Sequence, residues 1–297
     1  MAAVCAACGG TELKKHLQVG GELGGDGLIP TTDQFGRALA DIVRCRSCGH
    51  MQVDPMPSEE ILESAYADAA SEDYVEEEAG QRETARRILD RVASHVEGES
   101  PRLLDLGCWV GFLLAEAKAR GWMTLGVEPS RFASSYARER LGLDVRTADL
   151  LEADLPEGAF DAIVLGDVIE HLVDPGEALD RIAGLLAPGG VLAMMLPDAG
   201  SRLARLLGRR WWSVIPTHLQ YFTRGSMSTL LSRHGWALLE LDTQPKAFSV
   251  RYYLERVGGY SKPAARGLVR AADGVGVADR MWAPDFRDRM LVIATRP

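Results

Sequence analysis

Two things are missing from this 297-residue sequence: a long apolar run and a surplus of positive charge. No apolar stretch approaches the roughly 18 residues needed to cross a bilayer. The opening MAAVCAACGG has neither the charged nor the apolar segment of a secretory leader. Both absences predict a cytoplasmic protein with no membrane attachment. Asp and Glu number 42 against 33 Lys and Arg, for a formal charge of −9. An extended phosphate-binding surface leaves a basic footprint, so this balance and the lack of lysine-rich patches argue against a nucleic-acid partner. The one basic segment is 201–212, with Arg202, Arg205, Arg209 and Arg210. It reads as a solvated helix face or as a patch that steers an anionic acceptor. No internal repeat or low-complexity tract is present.

Cysteine is scarce but not scattered. Four of the five form two CxxC pairs, Cys5 with Cys8 and Cys45 with Cys48, and Gly9 and Gly49 directly follow them. Each pair can form a tight knuckle with both thiolates pointing one way, and two knuckles complete a tetrahedron around Zn²⁺. A disulfide framework is the competing reading, disfavoured in a reducing compartment. Four cysteine ligands close the coordination sphere, so the predicted zinc is structural. Residues 1–55 are too small to carry a core of their own and are predicted to be a zinc-binding module stapled by that ion. The glycine-rich stretch 20–27 is expected to loop out of it.

From 56 to 99 the chain reads as a helical linker or lid, beginning at Ser58 as N-cap and continuing through 80–96, where Ile88, Leu89 and Val92 keep helical spacing. Strand and helix then alternate. Strands are predicted at 102–107, 124–129, 144–149, 160–166 and 190–197, helices at 111–120, 130–141 and 174–187, and two late strands at 237–242 and 289–296. This order means βαβ units around a parallel sheet, an α/β domain over 100–297, with 245–285 as an insertion covering an acceptor site.

The first strand runs into LDLGCWVG, where Gly107 lets the chain turn and Gly111 lets the next helix pack close. Open α/β sheets bind ligands at that strand end. Glu128 closes the second strand, where a carboxylate can accept both hydroxyls of a ribose; Asp149 closes the third, where it can receive an adenine amine or act as a helix N-cap.

Those residues, followed by VEPS, ADL, FDAIVLGDVIEHLVDP and LLAPGGVLAMMLP, resemble the class I S-adenosylmethionine-dependent methyltransferases over about residues 100–297. The resemblance implies a Rossmann-like seven-stranded, mostly parallel sheet with helices on both faces and an antiparallel last strand. The front module resembles that of bacterial members with an N-terminal zinc ribbon, similar to sugar C-methyltransferases and other glycan or natural-product enzymes. It implies S-adenosylmethionine as cofactor and a small-molecule acceptor, a sugar, nucleotide-sugar or natural-product intermediate. By the same analogy Asp105, Gly107, Cys108, Trp109 and Gly111 lie against the methionine end. Glu128 and Pro129 take the ribose, Asp149 and Leu150 the adenine, and Asp167 and Val168 flank the sulfonium. Asp105 also reads as a strand-end carboxylate bonded to backbone amides. Many relatives have glycine at the position of Trp109; with the indole outside the turn, the backbone amides would stay available.

Methyl transfer is an in-line displacement, and the enzyme must position the nucleophile and remove its proton. Candidate catalytic residues are Asp167, His171, His218 and Tyr221, with Glu170 and Arg224 nearby. DVIEH with HLQYFTR is also similar to the metal-binding arrangement of small-RNA 3′-terminal methyltransferases, whose first half ubiquinone-pathway O-methyltransferases share. That implies a second divalent ion on Asp167, Glu170, His171 and His218, although Asp167 stands where glutamate is expected. Without a metal, Glu170 and His171 read as caps of the next helix. Tyr66 and Tyr74 read as lid or packing residues, and Trp211, Trp212, Phe248, Tyr252 and Tyr253 as core or as stacking surfaces. Three functions therefore stand open: small-molecule methylation, metal-assisted RNA 2′-O-methylation, and cofactor binding without catalysis. The front module could also pair two chains as a homodimer.

Overall fold

The computed structural model describes residues 3–20, 35–58, 62, 73–150 and 152–297. The glycine-rich stretch, most of the first linker helix, Tyr66 and the side chain of Tyr74 lie outside the described residues. Three short antiparallel strands come first: β1 (Leu13–Leu17), β2 (Asp41–Cys45) and β3 (Met51–Asp54). The main body follows with β4 (Arg102–Leu106), β5 (Met123–Val127), β6 (Val145–Arg146), β7 (Phe160–Gly166), β8 (Leu186–Pro197), β9 (Gln220–Tyr221), β10 (Ala237–Thr243), β11 (Phe248–Ser249), β12 (Met281–Trp282) and β13 (Arg289–Thr295).

Seven of these strands form one sheet in the order β10-β13-β8-β7-β4-β5-β6. The last, β13, runs antiparallel to both its neighbours, and the strands from β8 to β6 pair in parallel. This is the seven-stranded, mostly parallel sheet that the resemblance implied. Parallel strands covered on both faces must be apolar on both, and β4, β7, β8 and β13 are. Leu104, Ile163, Leu192 and Val292 join one buried cluster, while Leu103, Val164, Val191 and Leu291 join the cluster on the opposite face. The helix Glu78–Ala93 buries Ile88, Leu89 and Val92 in that second cluster.

Local caps fix where the helices begin. Ser130 accepts from the Ala133 amide to start Arg131–Leu141. Asp174 Oδ1 accepts from Gly176 N (2.9 Å) and Glu177 N (3.1 Å) to start Pro175–Leu185. Glu170 and His171 therefore do not cap that helix; they stand in a short 3₁₀ turn, Ile169–His171, ahead of it. β6 is shorter than predicted because it is the sheet edge and pairs only through Gly126–Val145 and Val127–Arg146, so Asp149 lies in the loop beyond it. β8 begins earlier than predicted and carries Gly189 at φ +78 through the PGG segment.

The small sheet is not self-contained. Its fourth strand is β9, from the main body, paired antiparallel to β3 through Met51–Tyr221 and Gln52–Gln220. Among the described residues no helix is long and apolar enough to cross a membrane.

One close approach seats residues 245–285 on the helix Glu78–Ala93. Thr84 Oγ1 accepts from Ala247 N at 2.8 Å and donates to Gly80 O at 3.0 Å. A Cβ on Gly80 would lie 2.2 Å from Ala247 O. In an exposed helix Gly→Ala gains about 1 kcal/mol. Here Gly80→Ala is expected to lose about 1–3 kcal/mol through overpacking, read as a lower urea midpoint. A raised midpoint would mean that this contact is not formed.

Candidate functional site

The turn after β4 is built on backbone geometry that most residues avoid. Gly107 (φ +76), Trp109 (φ +48) and Gly111 (φ +85) all take left-handed conformations, which cost a residue with a Cβ roughly 1–2 kcal/mol. Space adds a second demand: a Cβ on Gly107 would meet Val168 Cγ2 at 2.5 Å, and one on Gly111 would meet Leu143 Cδ1 at 2.6 Å. Trp109 therefore occupies a position that suits glycine, and its strain is offset by hydrogen bonding and packing. Glu128 Oε2 accepts from its amide at 2.8 Å, Glu128 Oε1 accepts from Ser130 N at 2.8 Å, and the indole packs with Val110, Phe112 and Ala133. The Trp109 amide is thus engaged by Glu128, which corrects the expectation that the turn's amides stay available.

A single cavity of about 1360 Å³ opens at these strand ends. Asp105, Gly107, Cys108, Trp109, Gly111, Glu128, Pro129, Asp149, Leu150, Asp167 and Val168, all expected at a cofactor, line it together. Burial pushes Asp105 up to about 8, with Glu128 adding repulsion. Burial raises Glu128 to about 7, against the pull of its two amide donors. The crevice therefore holds two buried carboxyls whose charged forms burial disfavours.

Asp167 does something different from what was expected. It takes φ +58 and pairs with Lys246 Nζ at 2.5 Å and with Arg289. Burial alone would raise its carboxyl, but Arg289 and Lys246 outweigh burial and hold it below the usual carboxylate range. Its carboxylate is committed to two cations, so it does not join the metal-ligand set in which it was placed. Neither cation shows any spacing signal in the sequence, because both arrive from the late segment that folds back over the cavity.

Next to it, Glu170, His171 and His218 bring one ligand atom each to within 4.8 Å of one another. His171 Nδ1 donates to Thr217 O (2.8 Å) and His218 Nδ1 donates to Ser213 O (2.8 Å), which leaves Nε2 of both rings deprotonated. The rings meet edge-on at 4.8 Å between centroids. Glu170 Oε1 lies 4.0 Å from His218 Nε2, and neither of its buried oxygens has a hydrogen-bond partner among the described residues. Burial, then the Asp167 charge, pushes Glu170 up to about 8. Burial lowers both histidines, His218 further because His171 lies beside it. His171 and His218 line the cavity; Tyr221 does not. Tyr221 is buried in the core beneath, its ring 6.3 Å from that of His218, because β9 turns it toward the small sheet.

Trp211 is core and donates through Nε1 to Asp288 at 3.2 Å. Trp212, Phe248, Tyr252 and Tyr253 line the cavity, joined by Trp282 and Phe286, which sequence reading missed.

The four paired cysteines also converge. Cys5 Sγ lies 3.6 Å from Cys48 Sγ, and Cys8 Sγ lies 3.6 Å from Cys45 Sγ. Tetrahedral Zn–S bonds of 2.3 Å place sulfurs about 3.8 Å apart. The knuckles close through Gly9 N→Cys5 O (2.8 Å) and Gly49 N→Cys45 O (3.1 Å), with both glycines left-handed. None of these cysteines is in a disulfide.

A family model described as a methyltransferase domain matches residues 77–241. The ubiquinone biosynthesis O-methyltransferase of Nitrobacter winogradskyi is 35% identical over 140 residues, 44% of this chain and 49% of its own. The C-methyltransferase NovU of Streptomyces niveus is 25% identical over 250 residues, 80% of this chain and 57% of its own. The match thus spans about half the length of these curated relatives. In solved structures, magnesium protoporphyrin IX methyltransferase from Synechocystis shares the fold at a TM-score of 0.51 and 12% identity, over 82% of this chain and 90% of that one. The cyclase SpnF does so at 0.50 and 23%, over 72% and 80%. A cyclase and a methyltransferase on one fold show why the reaction must be argued from the site.

The raised Asp105 carboxyl has a measurable sign. Its folded-state value of about 8 exceeds the ordinary carboxylate value. The folded chain therefore keeps a proton that the unfolded chain releases, and stability falls as pH rises from about 4 to 8. Asp105→Asn removes this penalty, and its thermal midpoint is expected to exceed that of the parent by several degrees at pH 8. The gap should shrink to nothing near pH 4. A gap that is constant with pH would refute the assignment.

Proposed function

The chain belongs to the methyltransferase-domain family, and from that premise we propose that it is an S-adenosylmethionine-dependent methyltransferase acting on a small molecule. The acceptor is a sugar, a nucleotide-sugar or another natural-product intermediate. The observation that carries this reading is one cavity lined both by Asp105, Glu128 and Asp149 and by His171 and His218. The donor set suits the cofactor: two buried carboxyls, with lone pairs still to offer, match an ammonium and a ribose diol. When bound, S-adenosylmethionine supplies a methyl group already activated on a sulfonium.

The chain's own residues then divide the work. Asp105 would hold the amine, directly or through water, and Glu128 the ribose, with its carboxylate pre-aimed by the amides of Trp109 and Ser130. Pro129, Asp149 and Leu150 would bound the adenine. Gly107, Cys108 and Gly111 would let the backbone pass close, and Trp109 would wall the methionine side. Val168 would face the methyl group, while Asp167 would position Lys246 and Arg289 on the acceptor side. His218 is the proposed base. Its Nδ1 proton is pinned to Ser213 O, so Nε2 can accept a proton, and Glu170 Oε1 lies 4.0 Å from that same nitrogen. His171 would stand as its companion, and Tyr221 would support the His218 ring from the core. The insertion 245–285 would cover the acceptor. The paired cysteines would hold a structural Zn²⁺, consistent with a cytoplasmic chain of reduced thiols.

One observation favours a second reading of the same cluster. Both Glu170 oxygens are buried without a partner beside two deprotonated imidazole nitrogens, a donor set suited to a divalent cation that would orient an acceptor hydroxyl. Asp167 has no part in it.

The test is transfer of a labelled methyl group to sugar nucleotides, phenolic natural products and RNA. Label is expected on a small molecule and not on RNA. His218→Ala should lower turnover about 10²–10⁴-fold with cofactor affinity unchanged. Activity that vanishes with a chelator and returns with Mg²⁺ or Mn²⁺ would favour the cation reading over the histidine base. Tight cofactor binding with no methylated acceptor of any class would contradict the enzyme reading.

A further inference from the structure

The four-cysteine module does more than pack against the main body. The segment from Thr217 to Tyr221 runs between it and the Glu170–His171–His218 cluster. Thr217 O holds His171 Nδ1 (2.8 Å), and His218 belongs to the cluster itself. Leu219 N donates to Glu170 O (2.9 Å), while Leu219 O accepts from Val53 N (3.0 Å) on β3. Tyr221 pairs with Met51 across β3 and β9.

Gln220 is the hinge of this arrangement. Its side-chain amide is fully buried and donates to both Leu172 O and Val173 O at 3.1 Å, the carbonyls that follow His171. That orientation turns Oε1 toward His50, whose Nε2 lies 2.9 Å away and donates to it. His50 is itself fully buried, packs at a tilt against Phe222 with ring centroids 4.6 Å apart, and follows the knuckle Cys45–Cys48 after a single glycine. A chain of direct contacts therefore runs from the second cysteine knuckle through His50 and Gln220 to the backbone that follows His171. Asp105, Glu128 and Asp149 stand instead at the ends of β4 and β5 and in the loop beyond β6.

We propose that His50 and Gln220 are positioning residues through which the four-cysteine module sets the reacting end of the cavity, leaving the cofactor end to the main sheet. This rests on the reading above in two respects: zinc on the cysteines, and methyl transfer at the His218 end. Removing the Gln220 amide frees two buried carbonyls and the His50 proton together, which lets the 3₁₀ turn carrying Glu170 and His171 shift against His218. Misplacement of reacting groups by about an ångström costs on the order of a hundredfold. The effect belongs in kcat, because the groups that bind the cofactor are untouched.

The experiment uses the full-length chain with Gln220→Ala, Gln220→Glu and His50→Gln. Gln220→Glu keeps an acceptor for His50 but loses both donors; His50→Gln keeps a donor for Gln220. Four quantities are read: zinc per chain, calorimetric affinity for S-adenosylhomocysteine, kcat and KM for a methylated acceptor, and the ¹⁵N–¹H imidazole signals of His171 and His218. We expect both Gln220 variants to retain zinc and cofactor affinity within about twofold. Their kcat should fall roughly tenfold to a hundredfold, and both imidazole signals should move. His50→Gln, which keeps the donor to Gln220, should lose much less. Unmoved imidazole signals, an unchanged kcat, or parallel losses of cofactor affinity and kcat would each overturn the proposal. A parent chain purified without zinc, or one with no methylated acceptor, would instead count against the reading beneath it. The imidazole signals then still decide whether Gln220 positions the cluster.

Discussion

The whole crevice depends on one clamp: the Glu128 carboxylate, bonded to the amides of Trp109 and Ser130. One bond holds the β4 turn, and the other holds the start of the helix after β5. A buried carboxylate engaged by two backbone donors is costly to displace, so two strand ends that would otherwise move independently are locked in register. The clamp also accounts for Trp109. A left-handed tryptophan is unfavourable alone, and it persists because its amide is bonded and its ring is packed.

Burial still weighs on the carboxyls of this crevice. Asp105 is pushed up to about 8, with Glu128 adding repulsion, and Glu128 to about 7 despite its two amide donors. Glu170 is raised in the same way, by burial and the Asp167 charge. A stable domain seldom keeps three such carboxyls without use, since each lowers stability as the pH approaches neutrality. Asp167 is the contrasting case: it is compensated by Lys246 and Arg289, and it organises two cations.

Much of this was legible in the sequence. Parallel strands announce themselves as short apolar runs, and the glycines at 107 and 111 mark a turn that no side chain fits. The cysteine pairs carry their geometry in their spacing, and the convergence of the four sulfurs follows. Other features depended on the fold. The ion pairs of Asp167 come from residues on the returning segment, and no periodicity links them. Tyr221 sits three residues from His218, yet a two-residue strand faces it into the core. The shortness of β6 comes from its place at the sheet edge, which local composition does not encode. Least legible of all was the sharing of β9 by the small sheet, because a Gln-Tyr dipeptide gives no strand signal on its own.

The central claim is that this crevice is a cofactor site organised by Glu128. Titration calorimetry of S-adenosylhomocysteine into the parent chain and into Glu128→Gln tests it most directly. The account predicts one site per chain in the parent and binding at least about tenfold weaker in the variant, a loss of about 1.4 kcal/mol or more. No binding to the parent, or equal binding to both, would contradict it.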